Sequence, residues 1–163
     1  VLVDGVPDDW PSLQGLVPFG AEGRLAEVTE IAGPGQLAPS ERTLKLVAST
    51  GRVVLVALTP LWLSGEAWAG QAPVPGLGGA RVVCGVTDRP QRAGGWDSRR
   101  GEPVAQHSVL PAGTTVYLEH ERGEELRDTV ARLGVVEGVV QVGEGREMGF
   151  GAVLAGPWPG QPA

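Results

Sequence analysis

Two stretches of this sequence carry residue types suited to holding a phosphate backbone. The first is GEGREMGFGAVLAG near the end of the chain, where Gly143, Gly145, Gly149, Gly151 and Gly156 surround Arg146. Glycine lets backbone approach a ligand closely and lets successive N–H groups point at an anion, and a guanidinium adds a fixed positive charge. The Lys and Ser/Thr of a P-loop are missing, and no strand followed by a helix flanks the segment as a dinucleotide fingerprint requires, so nucleotide hydrolysis is not indicated. The structural reading of the same glycines is a tight turn and a bulge beside a strand. The second stretch is RPQRAGGWDSRRGEP, which offers Arg89, Arg92, Arg99 and Arg100 to phosphates and Trp96 to a base. Its structural alternative folds Trp96 inward as a loop anchor, with Asp97 capping a turn and the arginines solvated. The inward tryptophan is the expected placement.

The inventory for catalysis is poor. His107 and His120 stand alone, neither near a nucleophile motif nor at metal-ligand spacing with a partner. Ser108 adjoins His107, but neighbours on a strand point to opposite faces. Glu119, Glu121, Glu124 and Glu125 flank a turn and open a helix, where acids are expected for dipole reasons. No metal or cofactor is expected, and the chain reads as a non-enzyme. A metal-independent ribonuclease using His107 as general base is an alternative.

Charge and composition limit the partners. A net charge of −6 argues against nucleic-acid binding over the whole surface, so any such contact must be local. Between Arg81 and Arg100 five arginines face Asp88 and Asp97, a positive patch on an acidic body. Of the 13 basic residues only Lys45 is a lysine; this suits bidentate phosphate recognition, although a compositional bias of the source explains it as well. With 42% hydrophobic and 20% charged residues the chain is a folded, soluble domain, while 26 glycines and 14 prolines announce long loops. No apolar run is long enough to span a bilayer, the first residues do not form a signal peptide, and Cys84 reads as a small core residue in a reducing cytoplasm.

The elements that must position these residues follow from periodicity and punctuation. Residues 1–23 are too rich in Pro and Gly for a regular element and read as a linker; Val1 in place of an initiating methionine suggests a missing N-terminal half. RLAEVTEI, Arg24 to Ile31, is a short strand. Ser40 and Gly51 bracket a helix from Glu41 to Ser49. Arg52 to Leu61 is a near-continuous apolar run, the pattern of a central strand covered on both faces. A loop with Trp62 and Trp68 as anchors leads to a strand from Ala80 to Val86. After a long loop at 88–106, Thr114 to Glu119 is a strand, Gly123 to Leu133 the best-marked helix, and Phe150 to Leu154 the last strand. This order suits an α+β, ferredoxin-like (RRM-like) sandwich spanning 24–158, with one antiparallel sheet, two helices on one face and long Gly/Pro-rich insertions; 159–163 is a tail.

Four segments, in order along the chain, resemble one family. They are GAEGR at Gly20 to Arg24, LTPLWLSGEAW at Leu58 to Trp68, GGWD at Gly94 to Asp97 with the later VLPAGTTVYLE, and GFGAVLAGPW at Gly149 to Trp158. Together they resemble Cmr subunit three of type III-B CRISPR effector complexes, in the handle-binding group of the RAMP superfamily. The resemblance implies a second ferredoxin-like domain of a non-catalytic scaffold subunit in antiviral defence. Such a subunit holds the 5′ handle of the CRISPR RNA and contacts the large Cas subunit and the backbone RAMP subunits, with no membrane contact. By position it assigns Gly143, Gly145, Arg146, Gly149 and Gly151 to the family's glycine-rich loop. Gly20, Glu22 and Arg24, with Gly95 and Asp97, fall on its other motifs. A pure protein-interaction module, docking through tryptophan-anchored loops at 62–79 and 88–106, is a further alternative.

Overall fold

The computed structural model describes residues 15–18, 25–28, 38–97, 99–133 and 141–158. Strands β1 (Gly15–Pro18) and β2 (Leu25–Val28) pair antiparallel, so the first segment contains a regular element that its glycines and prolines had argued against. Helix α1 (Glu41–Thr50) begins at Ser40, whose hydroxyl accepts the Thr43 N–H, and stops at Gly51 in the left-handed conformation. Strand β3 (Arg52–Ala57) follows at once, then the short helix α2 (Gly65–Trp68) and strand β4 (Arg81–Val86). Strands β5 (Gln91–Ala93), β6 (Trp96–Asp97), β7 (Glu102–Pro103) and β8 (His107–Val109) lead to β9 (Thr115–Glu119), helix α3 (Gly123–Ala131) and β10 (Val153–Gly156).

The main sheet is antiparallel and has the order β10-β3-β9-β4, with the apolar strand β3 in a central place. Helices α1 and α3 pack on each other and on one face of it, where Val53, Leu55, Val116 and Leu118 meet Val47, Leu126 and Val130. In chain order the strands run fourth, first, third, second, which is compatible with a ferredoxin-like sheet. Strand β3 is covered on one face only: its residues alternate half-buried and buried, and it ends at Ala57 instead of Leu61. The continuous apolar run misled because Leu61 and Leu63 are buried by a loop that leaves the sheet.

A bulge redirects β4. Val82 pairs with Leu118, but Cys84 pairs with Tyr117, so Val83 is the extra residue and every side chain beyond it changes face. Cys84, expected in the core, is therefore exposed, and Gly85 takes the inner position instead. A side chain at Gly85 would collide with the ring of Trp68, which anchors the α2 loop there.

Residues 88–106, expected as a loop, form a β arm. β5 pairs with β8 and β6 with β7, giving one long hairpin with turn residues at 99–101. β10 begins at Val153, because Phe150 and Gly151 belong to the turn that precedes it.

Candidate functional site

The glycine-rich turn and the root of the arm meet at Trp62. Leu61 and Leu110 exchange two backbone hydrogen bonds of 2.8 Å, which fastens the far end of the arm to the segment carrying Trp62. From the arm, His107 stacks on the Trp62 ring, with centroids 3.9 Å apart and planes inclined by 32°. From the tail, the Glu144 N–H donates to the Trp62 carbonyl at 2.8 Å. A side chain at Gly145 would lie 2.6 Å from the Trp62 ring and 2.9 Å from Phe150. The Thr-Pro pair at Thr59 and Pro60 completes the junction: the Thr59 hydroxyl accepts the Ala152 N–H at 3.0 Å and the Pro60 carbonyl accepts the Gly151 N–H at 2.9 Å.

This geometry defines what the glycines do. Gly143, Gly145, Gly149 and Gly151 all have positive φ, which the turn requires. The N–H groups of Gly143, Gly149 and Gly151 donate to the carbonyls of Pro75, Arg146 and Pro60. Three of the four glycines thus use their N–H groups to close the turn and tie it to the segments of Pro60 and Pro75 instead of offering donors to an anion. The cation here is Arg146, on a short 3₁₀ turn (Arg146–Met148), exposed and without a carboxylate partner among the described residues. Gly156 lies apart from the turn, within β10.

The arm presents its candidate residues outward. Trp96 is 64% exposed, so the inward anchor expected from sequence is overturned: its partner across β6–β7 is Pro103, and no core lies beneath that part of the hairpin. Arg92 pairs with Ser108 on the face of β5–β8 opposite His107, and it too is exposed. Arg99 and Arg100 sit at the turn, about 20 Å along the ladder from the root at 3.3 Å per residue. Arg100 meets Glu102 at 3.7 Å with both side chains largely in solvent, a pair worth well under about 1 kcal/mol that a phosphate can displace. The Gly95 carbonyl accepts the Val104 N–H at 2.9 Å, and Asp97 pairs through its backbone with Glu102. Gly20, Glu22 and Arg24 lie outside the described residues.

The arginines are strung along the arm and the tail turn; they do not gather at one point. Trp62, which sequence reasoning treated as a loop anchor, is the residue that joins the two segments. The only sequence signal for this was its place in LTPLW, two residues after the Thr-Pro pair that binds the tail.

His120 has a structural part. Its Nδ1 accepts the Arg122 N–H at 2.9 Å, so Nε2 carries the proton and donates to the Gly78 carbonyl at 2.9 Å. The ring ties the turn before β4 to the start of α3. Among the described residues no three His, Cys, Asp or Glu side chains group to hold a metal, and no helix is long and apolar enough to cross a membrane.

The fold and site define an α+β domain in which a glycine turn and a basic, tryptophan-bearing arm are locked together beside an antiparallel sheet. The family model described as CRISPR-associated protein (Cas_Cmr3) matches residues 1–158, and the chain belongs to that family. No curated protein matches it.

Proposed function

We propose that this CRISPR-associated protein is a non-catalytic scaffold subunit of a type III-B effector complex. It grips the 5′ handle of the CRISPR RNA and contacts the large Cas subunit and the backbone RAMP subunits, in the cytoplasm, as a RAMP-type ferredoxin-like domain. The observation that carries this reading is the arm: a projecting hairpin with exposed Arg92, Trp96, Arg99 and Arg100 on a chain of net charge −6. Such a chain repels a polynucleotide everywhere except where cations and a stacking ring stand clear of the acidic body.

The test uses labelled guide RNA with the purified chain and with the assembled complex. Binding weakens steeply with salt, and replacing Arg92, Arg99 and Arg146 together by Ala lowers the slope of log K against log salt by about 2, at roughly 0.7 per phosphate contact. The guide RNA stays intact throughout. Unchanged guide-RNA retention by the triple variant overturns the RNA grip in favour of a protein-docking module. Metal-independent cleavage abolished by His107→Ala overturns the scaffold reading in favour of a ribonuclease.

A further inference from the structure

The sheet has a second face, turned away from α1 and α3, and its register sets out an ordered surface there. One row runs across all four strands as Gly156, Val54, Tyr117 and Cys84. The chain's single tyrosine thus stands on a central strand between two shorter side chains. In the next row Arg52, Glu119 and Arg81 lie side by side, and extending the β10 register by two residues places Trp158 beside Arg52. The contacts agree: the Trp158 ring is 5.2 Å from the Arg52 guanidinium carbon, and it meets the Tyr117 ring at 5.4 Å and 74°. None of these residues belongs to the hydrophobic core, and Tyr117 and Trp158 are both partly exposed.

Two aromatic planes at nearly a right angle form a corner, where a flat base can stack on one ring and meet the other edge-on. Beside the corner, two arginines flank one glutamate, a net positive row on an acidic chain. Arg52 bonds Glu119 at 3.3 Å and Arg81 donates to the Gln71 carbonyl at 2.6 Å, and each guanidinium has further N–H donors. The row around Tyr117 is Gly, Val and Cys, short side chains that leave room for a ribose beside the ring. A four-stranded sheet with helices on one face and aromatics on the other is also a common platform for unpaired RNA bases.

We propose that this open face is a second contact for single-stranded RNA, distinct from the arm, on which Tyr117 and Trp158 stack bases while Arg52 and Arg81 face phosphates. It rests on the reading of the chain as an RNA-binding subunit. The test measures binding of a short fluorescent oligouridine to the full chain and maps crosslinks from a 4-thiouridine version of it. Crosslinks fall on β9 and on the peptide ending at Trp158. Tyr117→Leu and Trp158→Leu each weaken binding by roughly five- to a hundredfold, the range for loss of one stacked base. Tyr117→Phe keeps the ring and binds as the natural chain does, so a folding defect is separated from loss of stacking, and Lys45→Ala on the outer side of α1 changes nothing. If the crosslinks fall only on the arm and Tyr117→Leu binds normally, this proposal is overturned while the arm reading stands. Absence of any oligouridine or guide-RNA binding overturns both. Normal RNA affinity of Tyr117→Leu with failed incorporation into the assembled complex reassigns the face to a protein neighbour and overturns the RNA contact.

Discussion

The sheet-and-helix body and the arm are made by opposite rules. In the body, β3 and β9 alternate, sending Val53, Leu55, Val116 and Leu118 beneath two helices, and the residues they meet are almost wholly removed from water. In the arm, from Asp88 to Gln106, every described side chain is exposed except the half-buried Ala93. The arm therefore owes its shape to ladder hydrogen bonds and to its attachment at Leu110 and His107, while the body owes its shape to burial. The lesson is separability: burial, and with it most of the stability, resides in the body, while the arm is almost all surface, and substitutions sort accordingly.

The sharpest way to sort them begins in the body. Leu126 is fully buried between α3 and the sheet, so Leu126→Ala is expected to cost about 3 kcal/mol and to lower Tm by roughly 10 °C, read by calorimetry. Next comes the joint between the regions. Gly151 has φ +80° and a side chain there would strike the Val142 carbonyl, so Gly151→Ala loses roughly 2 kcal/mol in denaturant unfolding. The smallest effect per residue belongs to the arm: replacing Arg92, Arg99 and Arg100 by Ala shifts unfolding by no more than about 0.5 kcal/mol each, since each side chain is exposed. A large loss of stability in that triple variant would break the division between body and arm.

The same division marks what could be read before the structure. Helix α1 was legible because Ser40 and Gly51 act within one turn of the residues they cap, and β9 because Val116 and Leu118 alternate behind a Pro-Ala-Gly turn. Among the candidate site residues, the exposure of Arg92, Arg99 and Arg100 followed from their chemistry. The exposure of Trp96 did not, because a large apolar ring has a general preference for burial that a hairpin far from the core cannot satisfy. The arm itself was hidden in glycines and prolines, since its ladder is a pairing of residues up to 18 apart. Cys84 was lost for a similar reason: a one-residue bulge is invisible in the alternation it interrupts.

Local pattern along the chain was enough for helix α1, for the start of α3, for the presence of β3, β4 and β9, for the local excess of arginine and for membership of the CRISPR-associated family. These depend on neighbours along the chain or on motifs in order. It took the packed fold to show that Trp62 joins the tail turn to the arm, that β3 is buried on one face, and that Tyr117 and Trp158 share the other. Those are contacts between distant segments, set by strand register and by which surfaces are left after the helices have packed.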